Sequence, residues 1–206
     1  MTDVTLYGFA ASTYVRTARM ILEEKGVAYE LEEIMAGTPE MTALHPWGKM
    51  PAFRHGAETL FEAAAIGRYV DETFDGPALQ PADALHRANM ETWISAYIDY
   101  VYKPLVQTVV IQRLVVPNRG GTADEAAIAA ARPAVEQALG AIESRLGDAP
   151  FFAGAGRSLA DFFYLPAVSY FARTPEGTEM LANRGNIVAW KARMEALDSA
   201  QTVLAA

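Results

Sequence analysis

The chain has no cysteine among its 206 residues. Disulfides, thiolate–metal sites, cysteine nucleophiles and thiol exchange carried by the protein itself are therefore excluded. Histidine is nearly as scarce, and His45, His55 and His86 do not fall at metal-ligand spacing. Positive charge is in deficit: 17 Lys and Arg face 25 Asp and Glu, for a net charge of −8. No basic run exists to neutralise phosphates, so nucleic acid and anionic membranes are not expected partners. A long uninterrupted apolar run is missing too. The most apolar stretch, Val101 to Val116, carries Lys103, Gln107, Gln112 and Arg113, too polar for a membrane span. No basic-then-apolar leader opens the sequence, which makes the cytoplasm the expected location.

What is present is a globular composition, 51% hydrophobic and 20% charged. Val4 to Tyr7 alternates as a short strand, and Ser12 stands where a helix from about Thr13 to Lys25 should be capped. Tyr29 to Ile34 reads as a second strand, which suggests a βαβ unit with parallel strands. Ala36 to Trp47 reads as irregular, with Pro39 and Pro46 as breakers. A hairpin about Gly56 and a helix carrying Ile66, Tyr69, Val70 and Phe74 follow. Beyond a linker at Asp75 to Pro81, only helical patterns remain. They are a long helix from about Ala82 to Val116 bent at Pro104, a second after Thr122, and an apolar helix opened by Ser158-Leu159-Ala160-Asp161. Thr174-Pro175 and Asn186-Ile187 start two more, the last with Trp190, Met194 and Leu197 inward. Tyr97 and Tyr100 are expected in the core. The expected organisation is an α/β domain over 1–76 followed by an all-α domain over 82–206.

The stretch from Trp47 to Val70, opening with Trp47-Gly48-Lys49-Met50-Pro51-Ala52-Phe53, organises the chain. A proline at the mouth of a strand cannot donate to the sheet ladder. The N–H and C=O of Met50 are then left for an extended peptide, unless Pro51 merely ends a loop.

Several motifs in this order resemble those of the cytosolic glutathione transferases. They are Leu6-Tyr7-Gly8 with Ser12, the helix end Leu22 to Gly26, and His45-Pro46-Trp47-Gly48-Lys49-Met50-Pro51. Leu60-Phe61-Glu62-Ala63 through Ile66 and Ala153-Gly154 through Ser158 and Asp161 complete the set. The likeness covers essentially the whole chain and is greatest to serine-type members of the phi and theta kind and their bacterial relatives. It implies a thioredoxin-like domain followed by a helical one, glutathione as co-substrate rather than a bound cofactor, and a homodimer active in detoxification. The implied chemistry is thiolate attack on a small hydrophobic electrophile. Isomerase, dehalogenase or peroxidase work with glutathione is an alternative, as is a non-catalytic binding or assembly role.

The energetics say what such a site must supply. A cysteine thiol has a free pKa of about 8.5, and lowering it by roughly 2 requires about 2.7 kcal/mol. A helix N-terminus gives about 0.3–1 kcal/mol, and a hydrogen bond to a charged acceptor about 1.5–3 kcal/mol. A positioned hydroxyl is therefore needed. Ser12 offers one at a helix start; on the residues alone the favoured reading is that it caps its helix, and the resemblance reverses this by assigning it the catalytic role. Tyr7 is the rival donor, Thr13 and Tyr14 weaker ones. The resemblance further implies that the backbone of Met50, with Pro51 cis, bonds the cysteinyl unit of glutathione. It gives Lys49 the glycine carboxylate and Glu62 the γ-glutamyl ammonium. It implies electrophile-pocket walls at Phe9, Ala10, Tyr102 and Val106, between the domains. Two departures bear on affinity: Ala63 replaces the usual serine, leaving only its N–H as an anion donor, and Ala36 to Pro39 lacks a basic pair.

Overall fold

The computed structural model describes residues 3–205 and divides into two compact units. The first runs to Gln80 and takes in the segment from Glu195 onward. Its sheet has four strands, β1 (Val4–Tyr7), β2 (Glu30–Glu32), β3 (Ala52–His55) and β4 (Glu58–Phe61), in the order β2-β1-β3-β4. β1 and β2 run parallel, joined through α1 (Thr13–Glu24), while β3 pairs antiparallel with both β1 and β4. This is a thioredoxin-like sheet. The alternation in β1 sends Leu6 into the core, and α1 buries Val15, Ala18, Ile21 and Leu22. Only three residues of the expected strand over 29–34 pair with β1.

Three corrections belong to this unit. Residues Pro39–Leu44 form a helix, α2, where the prolines read as breakers. Pro39 sits in its first turn, where the missing N–H costs nothing, and the Thr38 hydroxyl accepts the Met41 N–H. The helix following β4, α3 (Ala63–Thr73), ends in a segment that is no loose linker. Leu79 is buried, and the Asp71 carboxylate accepts the N–H groups of Leu79 and Gln80. Lys25 Nζ donates to Asp71 Oδ1 and to the carbonyls of Asp71 and Pro77, each at 3.1 Å. Both side chains of this pair are buried. Lys25→Met, which leaves the acid without its cation, is expected to cost about 3 kcal/mol in urea-unfolding experiments. A loss under 1 kcal/mol would mean that water screens the pair. The third correction is α9 (Asp198–Leu204), a separate C-terminal helix that packs on α1, with Ser199 Oγ donating to the Glu24 carboxylate. Residues assigned from the sequence to the helical domain thus group with the α/β unit.

The second unit, Pro81–Met194, is all helical. α4 (Ala84–Ala96) continues without a break into a π-helical segment, Tyr97–Val115, that carries Pro104. Its wider winding shows in Val116 N–H donating to the Ile111 carbonyl, five residues back. Tyr97 is fully buried, but Tyr100 is 72% exposed, because successive positions on this segment face different sides. α5 (Glu125–Asp148) follows, then α6 (Leu159–Phe171), α7 (Pro175–Leu181) and α8 (Gly185–Glu195). α6 is apolar all round and forms the core of the unit, with Phe162 and Phe163 wholly buried.

Candidate functional site

The residues singled out in the first unit gather where β1 gives way to α1 and where β3 begins. Gly8 makes the turn at φ +145°; a Cβ there would lie 2.6 Å from Val15 Cγ2, so the position needs glycine. Phe9, Ala10 and Ala11 follow, and the Ser12 N–H donates to the Phe9 carbonyl at 2.9 Å. Ser12 is the N-cap residue of α1 by its extended backbone, yet its hydroxyl makes no capping hydrogen bond. The half-buried Oγ stands at the positive end of a twelve-residue helix with no partner among the described residues. Tyr7 is spent differently: its ring is buried with Met41 and Ala52, and the Arg54 guanidinium lies 5.2 Å from its centroid.

The Met50–Pro51 peptide is cis. β3 starts only at Ala52, which pairs with Tyr7, so Met50 lies outside the ladder. Its backbone N–H and C=O have no partner among the described residues. The Met50 side chain is partly buried against the Tyr7 cluster, and its Sδ accepts the Phe9 N–H at 3.2 Å. That sulfur contact was invisible in the sequence, which offered Met50 a backbone role together with core packing of its side chain. So was the Glu33 carboxylate, which accepts the Ala10 N–H at 3.0 Å. Lys49 is exposed beside Met50.

Glu62 is exposed and holds φ +70°, the one non-glycine residue with positive φ among those described. Such a conformation costs of order 1–3 kcal/mol and persists where its surroundings enforce it. It is the N-cap residue of α3, and it leaves the N–H groups of Ala63 and Ala64 pointing out of the helix start. His45 stands behind it, 2% exposed, with Nε2 3.8 Å from Glu62 Oε1. Its ring lies 4.9 Å from that of Phe61 and 6.1 Å from Trp47. The Trp47 N–H donates to His45 Nδ1, which leaves the proton of a neutral ring on Nε2. Burial pulls the imidazole below its ordinary pKa, against the opposing pull of Glu62, so the ring is neutral at pH 7.

Phe9 is 40% exposed and Ala10 half-buried on the first unit; on the second, Tyr102 is half-buried and Val106 buried. No group of three or more metal-binding side chains occurs among the described residues, and no helix there is long and apolar enough to cross a membrane.

Comparison with known proteins matches both parts of the chain to one family. Residues 6–78 match the family model of the glutathione S-transferase N-terminal domain, and residues 125–197 that of the C-terminal domain. Glutathione S-transferase 3 of Zea mays is 31% identical over all of this chain and 95% of its own length. Glutathione S-transferase F14 of Arabidopsis thaliana is 30% identical over 86% of this chain and 74% of its own. Among solved structures, glutathione S-transferase III in its apo form superposes with a TM-score of 0.89 at 30% identity, covering 98% of this chain and 96% of that one. Glutathione S-transferase I bound to lactoylglutathione gives 0.88 at 26% identity and 98% of both chains. Fold, motif order and two relatives at 30% identity or above coincide: the chain belongs to the glutathione S-transferase family.

Proposed function

We propose that this protein is a serine-type glutathione transferase that binds glutathione on its first unit and holds the thiol as thiolate for attack on a hydrophobic electrophile. The observation that carries the reading is the Ser12 hydroxyl, which stands at the N-terminus of α1 and is not consumed as a cap. A donor kept out of its own helix is available to a ligand. The Met50 backbone, unpaired beside the start of β3, suits the cysteinyl N–H and C=O. Lys49 takes the glycine carboxylate as a point charge. Glu62 takes the γ-glutamyl ammonium, and the Ala63 N–H takes that unit's carboxylate. Phe9 and Ala10 are the candidate wall residues for the electrophile on the first unit; Tyr102 and Val106 are the further candidates that the family resemblance adds. The active protein is a homodimer.

The two departures set the affinity. Without a hydroxyl at position 63, binding is weaker by about 0.5–1.5 kcal/mol than with serine. The experiment is a glutathione titration followed by thiolate absorbance across pH. Bound glutathione is expected to ionise with a pKa roughly 2 below the free thiol's value of about 8.5. Binding without a lowered pKa would transfer the protein to the non-catalytic glutathione-binding class.

A further inference from the structure

Phe9 is bracketed. Its N–H donates to Met50 Sδ at 3.2 Å, and its carbonyl accepts the Ser12 N–H at 2.9 Å. The thioether of Met50 is therefore two hydrogen bonds from the backbone of Ser12. The same residue's backbone faces the proposed ligand. The turn has little slack on this side: a Cβ at Gly8 would lie 3.0 Å from Met50 Cβ and 3.5 Å from Met50 Sδ.

We propose that the Met50 thioether is a redox-sensitive positioning group, which holds the Phe9–Ser12 turn in place when reduced and displaces it when oxidised to the sulfoxide. The proposal rests on the reading of Ser12 as thiol donor. Sulfur is a weak acceptor and uses a lone pair to hold the Phe9 N–H. A hydroperoxide removes that arrangement. The sulfur lone pair attacks one peroxide oxygen, the O–O bond breaks and an S–O bond forms. After proton transfer hydrogen peroxide leaves as water. The sulfur loses two electrons and the peroxide gains them. The new oxygen adds bulk and a strong S–O dipole to a sulfur that already stands 3.2 Å from the Phe9 nitrogen, beside a turn with no room for even a Cβ at Gly8. The turn must move, and Ser12 moves with it. Met50 is only partly buried, whereas Met20, Met41, Met90 and Met194 are wholly enclosed. Met35, at 44% exposed, is the natural control.

The test has three arms, run on Met50→Leu, on Met50→Val should leucine fold poorly, and on Met35→Leu. Hydrogen exchange at the Phe9 amide of the ligand-free protein is expected to quicken about 2- to 10-fold in the Met50 variants. The pH profile of kcat/KM is expected to shift to higher pH in the same variants. Hydrogen peroxide treatment of the wild type and of Met35→Leu is expected to cut activity several-fold. One added oxygen should map to Met50 by peptide mass, and methionine sulfoxide reductases should restore activity. The Met50 variants should lose no further activity on treatment. An unaltered Phe9 exchange rate and pH profile in the Met50 variants, or equal peroxide inactivation with and without Met50, would overturn the proposal. If the wild type forms no thiolate at all, the Ser12 reading fails instead, and the amide-exchange arm still decides whether Met50 holds the turn.

Discussion

Replacing Asp161 with alanine is expected to lower the unfolding free energy by about 4 kcal/mol, measured by urea denaturation near neutral pH. Asp161 lies at the start of α6, fully buried. Its Oδ1 accepts the Trp190 indole N–H at 2.8 Å and the Phe152 backbone N–H at 3.2 Å. Its Oδ2 accepts the Ser158 N–H at 2.8 Å and the Ser158 hydroxyl at 3.0 Å. Alanine strands three N–H donors in the core, each at about 1–3 kcal/mol. One term opposes this. Burial pushes the Asp161 carboxyl from its ordinary 3.8 up to about 6, so the buried charge itself costs stability at neutral pH and its removal relieves some strain. The donors prevail, because a carboxyl can shed its charge by protonation while an amide or indole cannot shed its proton.

The same carboxyl gives a pH signature. Between about pH 4 and pH 6 the folded protein holds a proton that the unfolded chain has released. This group's contribution is full below pH 4 and is lost as pH rises through 6, a change of about 3 kcal/mol. The Ser158 hydroxyl can turn from donor to acceptor, so the protonated acid keeps its partner. Asp161→Asn is expected to remove that slope. Parallel stability profiles for wild type and Asp161→Asn from pH 4 to 7 would show that hydrogen bonding offsets burial and that Asp161 titrates normally.

The second large effect falls on turnover. Ser12→Ala is expected to reduce kcat/KM at pH 7 by about 10- to 100-fold, with the pKa of bound glutathione raised by about 1–2. The loss corresponds to one hydrogen bond to a charged acceptor. What remains is the dipole of α1, worth about 0.3–1 kcal/mol. The deficit should shrink as pH climbs past the thiol's own pKa, because the thiolate then forms unaided. A stability measurement separates this role from capping. A serine that caps its helix costs about 1 kcal/mol when replaced by alanine, but the Ser12 hydroxyl makes no such bond, so the change should be a few tenths at most. Full activity in Ser12→Ala with loss in Tyr7→Phe would transfer the role to Tyr7. The burial of Tyr7 against Met41 and Ala52 argues against that result.

Much of the fold was legible because its signals are local. The strand at Val4–Tyr7, the amphipathic α1, the β3–β4 hairpin and the Ser158–Asp161 start of α6 each follow from periodicity or a short cap within one segment. Local signals also placed Ser12, Lys49, Met50 and Glu62 at the ends of recognisable elements, but the roles proposed for them came from the family resemblance and not from any local pattern. Pro39 misled because a proline's meaning depends on whether it falls in the first turn or the interior, and the hydroxyl of Thr38 decided that. Tyr100 misled because the wide winding after Ala96 changes which positions face inward.

By itself the sequence determined the strand–helix–strand opening and hairpin of the first domain, the helical character of the second, the lack of any cysteine of the protein's own, and which residue types stand at most strand and helix ends. Tertiary structure alone decided three things about the region opened by Trp47. It set the Met50 sulfur against the Phe9 N–H, 41 residues away in sequence. It put neutral His45 behind Glu62, and it held Glu62 at a backbone conformation its own side chain disfavours. The reason is physical. Periodicity and capping depend on neighbours within a turn or two, whereas these contacts join segments whose approach is set by the packing of the sheet and its helices, which no local pattern encodes.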